Sequence, residues 1–293
     1  MNIILAGNES AGARVLQEIV KTKHSVKAVV ASESKSGLAL IKRAQSMGIP
    51  IWPGSVVKDS SSIGAIKSLR TDLLLNVHAQ FIICEDVLNA PKYGCFNLHP
   101  GPLPEYAGSN PVSWAIYNGE KHHGITIHKM VPKVDAGPIV LKEYFKIESE
   151  ETGISLMSKC VMKGVPLVRE FIEIAERGLK HIPFESQDLT KRRFYSKNDI
   201  PNHGRMCWGK SCEDVSRFVR ACNFLPYPSP WGRPKVKYNN MIMEIIDAEC
   251  TGMTSQGKPG TLHMDGNDFF LVSTKDNMIR IKTKSKGTFS AET

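Results

Sequence analysis

Residues 2–31, NIILAGNESAGARVLQEIVKTKHSVKAVVA, decide the fold class. The run NIILA at 2–6 is short and apolar, as a buried strand requires, and Gly7 closes it. After Gly12 the stretch Ala13–Lys21 has helical spacing, and Val26–Ala31 returns to a β-branched strand. Two like strands joined through a helix form a βαβ unit, because parallel strands need a long crossover between them. The alternation continues with a helix over Leu38–Met47, a strand over Ile49–Trp52, a helix over 61–69 and a strand over Leu73–Val77. Cys95–Leu98 is a further short apolar strand that ends at His99. This order predicts an α/β fold with a parallel sheet covered on both faces. The turn GNESAG lacks the second early glycine of a dinucleotide loop, and Glu9 would oppose a pyrophosphate at the helix start. It reads as a structural turn, and NAD is not expected.

Beyond residue 99 the pattern changes. HPGPLPEYAGSNP (99–111) is a Pro/Gly-dense loop. Val112–Asn118 is helical, and Ile125–Met130 and Ile139–Phe145 alternate as paired strands around VPKVDAGP. Ile154–Glu176 is a long amphipathic helix with a stop at Gly178, and Lys210–Cys222 is another helix. Short runs at Met241–Ile246, Thr261–Met264, Phe269–Ser273 and Met278–Lys282, divided by Gly, Asn and Asp, predict a small antiparallel β-barrel or half-barrel. The expected division is 1–183, a linker over 184–206 that contains KRR at 191–193, and 207–293.

The 293 residues carry a formal net charge of +9 with 41% hydrophobic residues, a balance that excludes a disordered chain. Positive charge is denser after residue 183, where 17 Lys+Arg face 12 Asp+Glu, and favours anionic partners without choosing among them. No apolar run approaches the ~18 residues of a membrane span. The N-terminus lacks a basic leader, so a soluble cytoplasmic protein is expected and no membrane partner. Seven cysteines include no CxxC pair. Cys84, Cys95 and Cys160 read as inert core thiols, and His203, Cys207 and Cys212 offer only three irregularly spaced ligands, so no metal is expected.

The chemistry concentrates in Asn97, His99 and Asp135. Asn97 and His99 are two apart on a strand and so share a face. They emerge at the C-terminal end of a sheet strand, where open α/β sheets place ligands. A carboxylate from the VPKVDAGP loop can set the tautomer and pKa of that histidine. Amide, imidazole and carboxylate together supply an oxyanion donor, a base for an amine and an orienting anion. No serine or cysteine sits in an elbow-like nucleophile motif, so transfer without an acyl-enzyme is expected. Tyr106 and Trp114 read as packing residues.

FNLHPGPLPEYAGSNPVSWAIYNGE, followed by HGITIHKMVPKVDAGPIV, resembles the formyltransferase family that uses 10-formyltetrahydrofolate. The match runs over about residues 70–160 and more loosely over 1–70. The segment from WGKSCEDV through MIRIKT resembles the family's C-terminal β-barrel module. The resemblance implies a Rossmann-like parallel-sheet catalytic domain with a small OB-like β-barrel domain. It implies Asn97, His99 and Asp135 as catalytic residues and 10-formyltetrahydrofolate as cosubstrate. Asn97 would hydrogen-bond the developing oxyanion. His99 would take a proton or assist the oxyanion under the control of Asp135, which could also relay a proton to the leaving folate nitrogen. The pterin would lie beside Gln80, Phe81, Ile82 and Val134.

Within that family the acceptor is expected to be a primary amine on a small molecule, a nucleotide-linked amino sugar above all. Ala107 fills a slot that is usually Arg in methionyl-tRNA formyltransferases, and Val30–Gly37 lacks their basic insertion, which argues against tRNA as partner. The alternatives are a methionyl-tRNA formyltransferase, a formyltetrahydrofolate hydrolase and, from another class, a non-catalytic folate-binding module. A barrel module with an exposed edge would support a homodimer.

Overall fold

The computed structural model describes residues 1–79, 81–239, 241–266 and 268–285. The first half contains β1 (Asn2–Gly7), α1 (Glu9–Val20), β2 (Ser25–Ala31), α2 (Leu38–Ser46), β3 (Ile51–Pro53), α3 (Ile63–Ser68), β4 (Leu73–Val77), α4 (Glu85–Leu88) and β5 (Cys95–His99). Then come β6 (Ala107–Gly108), α5 (Pro111–Tyr117), β7 (His122–Lys129), β8 (Ile139–Lys146), α6 (Gly153–Ala175) and β9 (Phe194–Tyr195). The last part holds α7 (Cys212–Cys222), β10 (Lys235–Tyr238), β11 (Met241–Thr254), β12 (Leu262–Met264), β13 (Phe269–Ser273) and β14 (Asn277–Ser285). These residues gather into two compact units. One is Met1–Gly108 with Gly124–Phe145 and Lys159–Phe194; the other is Ser109–His123 with Lys146–Ser158 and the chain from Tyr195 on.

The first unit is built on a seven-stranded sheet in the order β3-β2-β1-β4-β5-β7-β8. Its first five strands are parallel, and β7 then runs antiparallel to β5. β1 and β4 are buried on both faces, which explains runs such as IILA and LLLNV that never alternate. α1 turns Ala11, Val15, Leu16 and Ile19 to the core, a stripe at helical spacing. Across β5 the alternation divides labour. Phe96 meets Phe171 of α6 with ring centroids 4.7 Å apart, and a Cβ at Gly164 would lie 2.8 Å from Leu98. α6 therefore sits flush on that face of β5, and Asn97 and His99 point to the other.

The second unit contains a five-stranded sheet in the order β10-β11-β14-β13-β12, antiparallel throughout. Val236, Met243, Ile245, Phe270, Val272, Ile279 and Ile281 form its core with Val215 and Val219 of α7. β11 runs to Thr254, well past the strand read over Met241–Ile246, because a register shift between Ile245 and Asp247 absorbs the charged residues that interrupt the alternation. β10, whose lysines alternate with Val236, had no apolar run to reveal it. Cys212 is bonded to Cys250, which withdraws it from any ligand set with His203 and Cys207. No helix among the described residues is long and apolar enough to cross a membrane.

Candidate active site

The site is assembled from strand register and two loops of the first unit. Asn76 of β4 pairs in register with Asn97 of β5, which pairs in register with His128 of β7. One polar side chain per strand thus lies in a row across three adjacent strands, and all three are buried. Asn76 Nδ2 donates to Asn97 Oδ1 at 2.9 Å and to the Ala79 carbonyl at 3.2 Å. That contact turns the Asn97 NH2 toward β7, where it lies 3.1 Å from His128 Nε2 and 3.5 Å from Asp135 Oδ1. His128 Nδ1 lies 3.0 Å from the Lys129 carbonyl and donates to it, so Nε2 offers its lone pair to Asn97.

The prolines after His99 end β5 by removing ladder donors, and the loop folds back on the strand end. Thr126 of β7 holds the turn: its hydroxyl donates to the Gly101 carbonyl at 2.9 Å and accepts the Leu103 N–H at 3.3 Å. The Tyr106 carbonyl consequently reaches His99 Nε2 at 2.7 Å, and Gly108 N–H reaches Asp135 Oδ2 at 2.8 Å. Asp135 lies on the loop between β7 and β8 with φ at 50°, a left-handed backbone that few residues other than glycine adopt. Gly137 allows that loop to close: a Cβ there would stand 1.8 Å from the Lys129 carbonyl oxygen.

Asn97, His99 and Asp135 therefore meet. Asp135 Oδ2 is 3.6 Å from His99 Nδ1, and Oδ1 is 3.3 Å from His128 Nε2. Burial by itself would raise the Asp135 pKa, but His99 first and the Gly108 N–H outweigh it and hold the carboxyl well below the usual range. Burial lowers the His99 pKa despite the opposing pull of Asp135 and the Tyr106 carbonyl. At neutral pH the group is a neutral imidazole whose Nε2–H is committed to Tyr106 and whose Nδ1 faces an ionised carboxylate. That arrangement can accept a proton at Nδ1 and stabilise the resulting cation.

Of the residues expected around a pterin, Ile82 is 78% exposed and Val134 45% exposed. Neither is spent on the core, so both can offer apolar surface to a ligand. Phe81 packs inward, its ring 2.3 Å from where a Cβ on Gly54 would lie. Gln80 lies outside the described residues. His78, at φ 55°, has both ring nitrogens shielded from solvent and without a hydrogen-bond partner among the described residues. Burial and, second, His99 push its pKa down to about 4.

The sequence reading did not single out Asn76 or His128. Each is a polar residue interrupting an apolar strand, LLLNV and ITIHKM, and that interruption is the signal that could have marked them.

Residues 1–168 match the model of the formyl transferase family, and residues 200–289 match the formyl transferase C-terminal domain. The methionyl-tRNA formyltransferase of Clostridium beijerinckii is 31% identical, the match covering 96% of this chain and 91% of that protein. That of Acetivibrio thermocellus is 30% identical over the same shares. Among solved structures, an N-formyltransferase from Helicobacter canadensis in complex with folinic acid and dTDP-3-aminofucose superposes with a TM-score of 0.73 at 19% identity, covering 96% of this chain and 99% of that one. A sugar 3N-formyl transferase solved with dTDP and 5-N-formyl-THF gives 0.74 at 19% identity and 99% coverage of both chains, a likeness of fold. With its first 168 residues and its C-terminal part both matched, the chain belongs to the formyl transferase family and is a folate-dependent formyltransferase.

Proposed function

We propose that the protein moves a formyl group from 10-formyltetrahydrofolate to the primary amine of a nucleotide-linked amino sugar, with Asn97, His99 and Asp135 as its catalytic residues. The observation that carries this reading is the convergence of those three side chains at the end of β5, each within 3.6 Å of another. Formyl-folate supplies a one-carbon unit already bonded to a nitrogen. The reaction makes one bond, from amine nitrogen to formyl carbon, breaks one, from formyl carbon to folate nitrogen, and moves one proton from the first nitrogen to the second.

Each residue has a part in that balance. Asn97 has one Nδ2 hydrogen committed to His128, while the other spans a long 3.5 Å to Asp135 and can turn to the formyl oxygen as charge develops there. His99 takes the amine proton at Nδ1 and returns it toward the folate nitrogen. Asp135, ionised at neutral pH, stabilises the imidazolium in between. The exposed Ile82 and Val134 suit the apolar face of a flat ligand.

The small acceptor is favoured by the loop from Pro100 to Gly108, which carries Glu105 and no cation. Ala107 is fully buried beside Leu103 and Ile139, so that position offers no phosphate contact. A second reading, methionyl-tRNA as acceptor, is favoured by the names of the sequence relatives. A turnover screen with 10-formyltetrahydrofolate decides between them. The expected result is N-formylation of an amino-sugar nucleotide with weak dependence on salt. Turnover only with methionyl-tRNA, falling steeply as salt rises, establishes the second reading. Formate release with no amine present would sink both.

A further inference from the structure

We propose that Gln187 is a positioning residue for Asp135, acting through the backbone of the loop that carries it. The inference rests on the catalytic reading of Asp135 and adds a part that the segment between α6 and β9 would play in it.

Gln187 spends both hydrogens of its side-chain amide on that loop. Nε2 donates to the Asp135 carbonyl at 3.0 Å and to the Gly137 carbonyl at 2.6 Å. Five residues on, Arg192 Nη2 donates to the Val134 carbonyl at 2.8 Å. Three carbonyls around the aspartate are thus caught by side chains from one segment. The same segment holds the facing loop, since Ala107 N–H donates to the Arg193 carbonyl at 3.1 Å and Arg193 N–H to the Pro104 carbonyl at 3.3 Å. Both loops that meet at the Asp135–Gly108 hydrogen bond are therefore tied to residues 187–193.

Chemistry fixes which way the Gln187 amide faces. Turned over, its oxygen would oppose two carbonyl oxygens. In the orientation found, Oε1 is buried with no partner among the described residues. An unpaired buried acceptor is costly, and it is tolerated here for two donors placed on one loop. What those donors hold is a left-handed aspartate whose carboxylate must meet Gly108, His99 and His128 together. Such a site loses rate when a catalytic group drifts by an ångström. Arg192 adds a further contact, but among the described residues it is Gln187 that grips the carbonyl of Asp135 itself.

The test uses the full chain as wild type, Gln187→Ala, Gln187→Glu and Asp135→Asn, assayed for kcat and for donor KM from pH 5 to 8, with thermal melts to verify folding. Gln187→Ala is expected to lower kcat tenfold or more while donor KM stays within threefold. Gln187→Glu keeps the shape and loses both donors at neutral pH. Its kcat relative to wild type should be lowest near pH 8 and recover toward pH 5, where a protonated carboxyl donates to one carbonyl again. Arg192, Asp188, Lys133, His99 and His128 are common to both proteins, so the ratio isolates the new carboxyl. Should Gln187→Ala melt below the assay temperature, the near-isosteric Gln187→Glu carries the test through that ratio. A Gln187→Ala kcat within twofold of wild type, a loss confined to KM, or a ratio flat with pH would overturn the proposal. Full activity in Asp135→Asn would instead remove the catalytic reading on which it stands.

Discussion

Three adjacent strands of the seven-stranded sheet carry Asn76, Asn97 and His128 in register, buried and bonded to one another. The interior of the five-stranded sheet is mostly apolar, with Val236, Met243, Ile245, Val272, Ile279 and Ile281, and its buried Ser273 and Thr283 are satisfied locally by the Gln256 and Asp268 carbonyls. Burying polar groups is costly unless every partner is supplied, and a fold that needed only stability would use the second solution. In the first sheet the linked polar set lies at the strand ends where Asp135 and His99 arrive. The contrast is between a sheet whose adjacent strands share a linked polar row and one whose core is mostly apolar, with a cross-link from Cys212 to Cys250.

The largest effects should therefore come from the polar set. His99→Ala and Asp135→Asn are expected to lower kcat by about a thousandfold, within the range for lost general acid–base or preorganised electrostatic groups. Asn97→Ala should cost on the order of a hundredfold or more. Circular dichroism should show the fold intact. Turnover within tenfold of wild type for any of the three would take that residue out of the catalytic set and weaken the contrast.

Acid should expose the same asymmetry as a loss of stability. His78 titrates at about 4 in the fold, against about 6.5 for a free histidine. Between those values the unfolded chain binds the extra proton, so stability is intact above pH 6.5 and drains as pH falls toward 4. The lowered pKa of His99 acts in the same direction. The His78 shift corresponds to about 3 kcal/mol. Melting temperatures measured from pH 7.5 to 4.5 should fall less in His78→Asn, asparagine being suited to the left-handed backbone there. Equal slopes in the two proteins would show that His78 does not carry the loss.

Much of this was legible in residue order. The apolar runs of β1, β2 and β4 gave away the parallel sheet, and the two-residue spacing of Asn97 and His99 put them on one face. Asn76 and His128 were not legible as partners, because register between strands far apart in sequence is a tertiary property. Gln187 and Arg192 were hidden for another reason. They sit in a segment with little regular structure, where solvated polar residues are the default reading, and their work is done through backbone carbonyls that no residue pattern encodes.

The smallest effect sharpens the contrast most, because it compares like with like. Asn76→Leu removes the donor that orients the Asn97 amide while nearly preserving volume, and it leaves Asn97 Oδ1 without that bond. The loss of one buried hydrogen bond is worth about 1 kcal/mol, so kcat should fall by about five- to tenfold with donor KM little changed. Thr283→Val removes a buried hydroxyl of the other sheet, whose bond runs to a backbone carbonyl of its own unit. It should leave kcat within twofold at temperatures where the protein stays folded. If the two substitutions slow turnover equally, orientation of Asn97 is not what the polar row contributes, and buried polarity in the first sheet would have to be explained by stability alone.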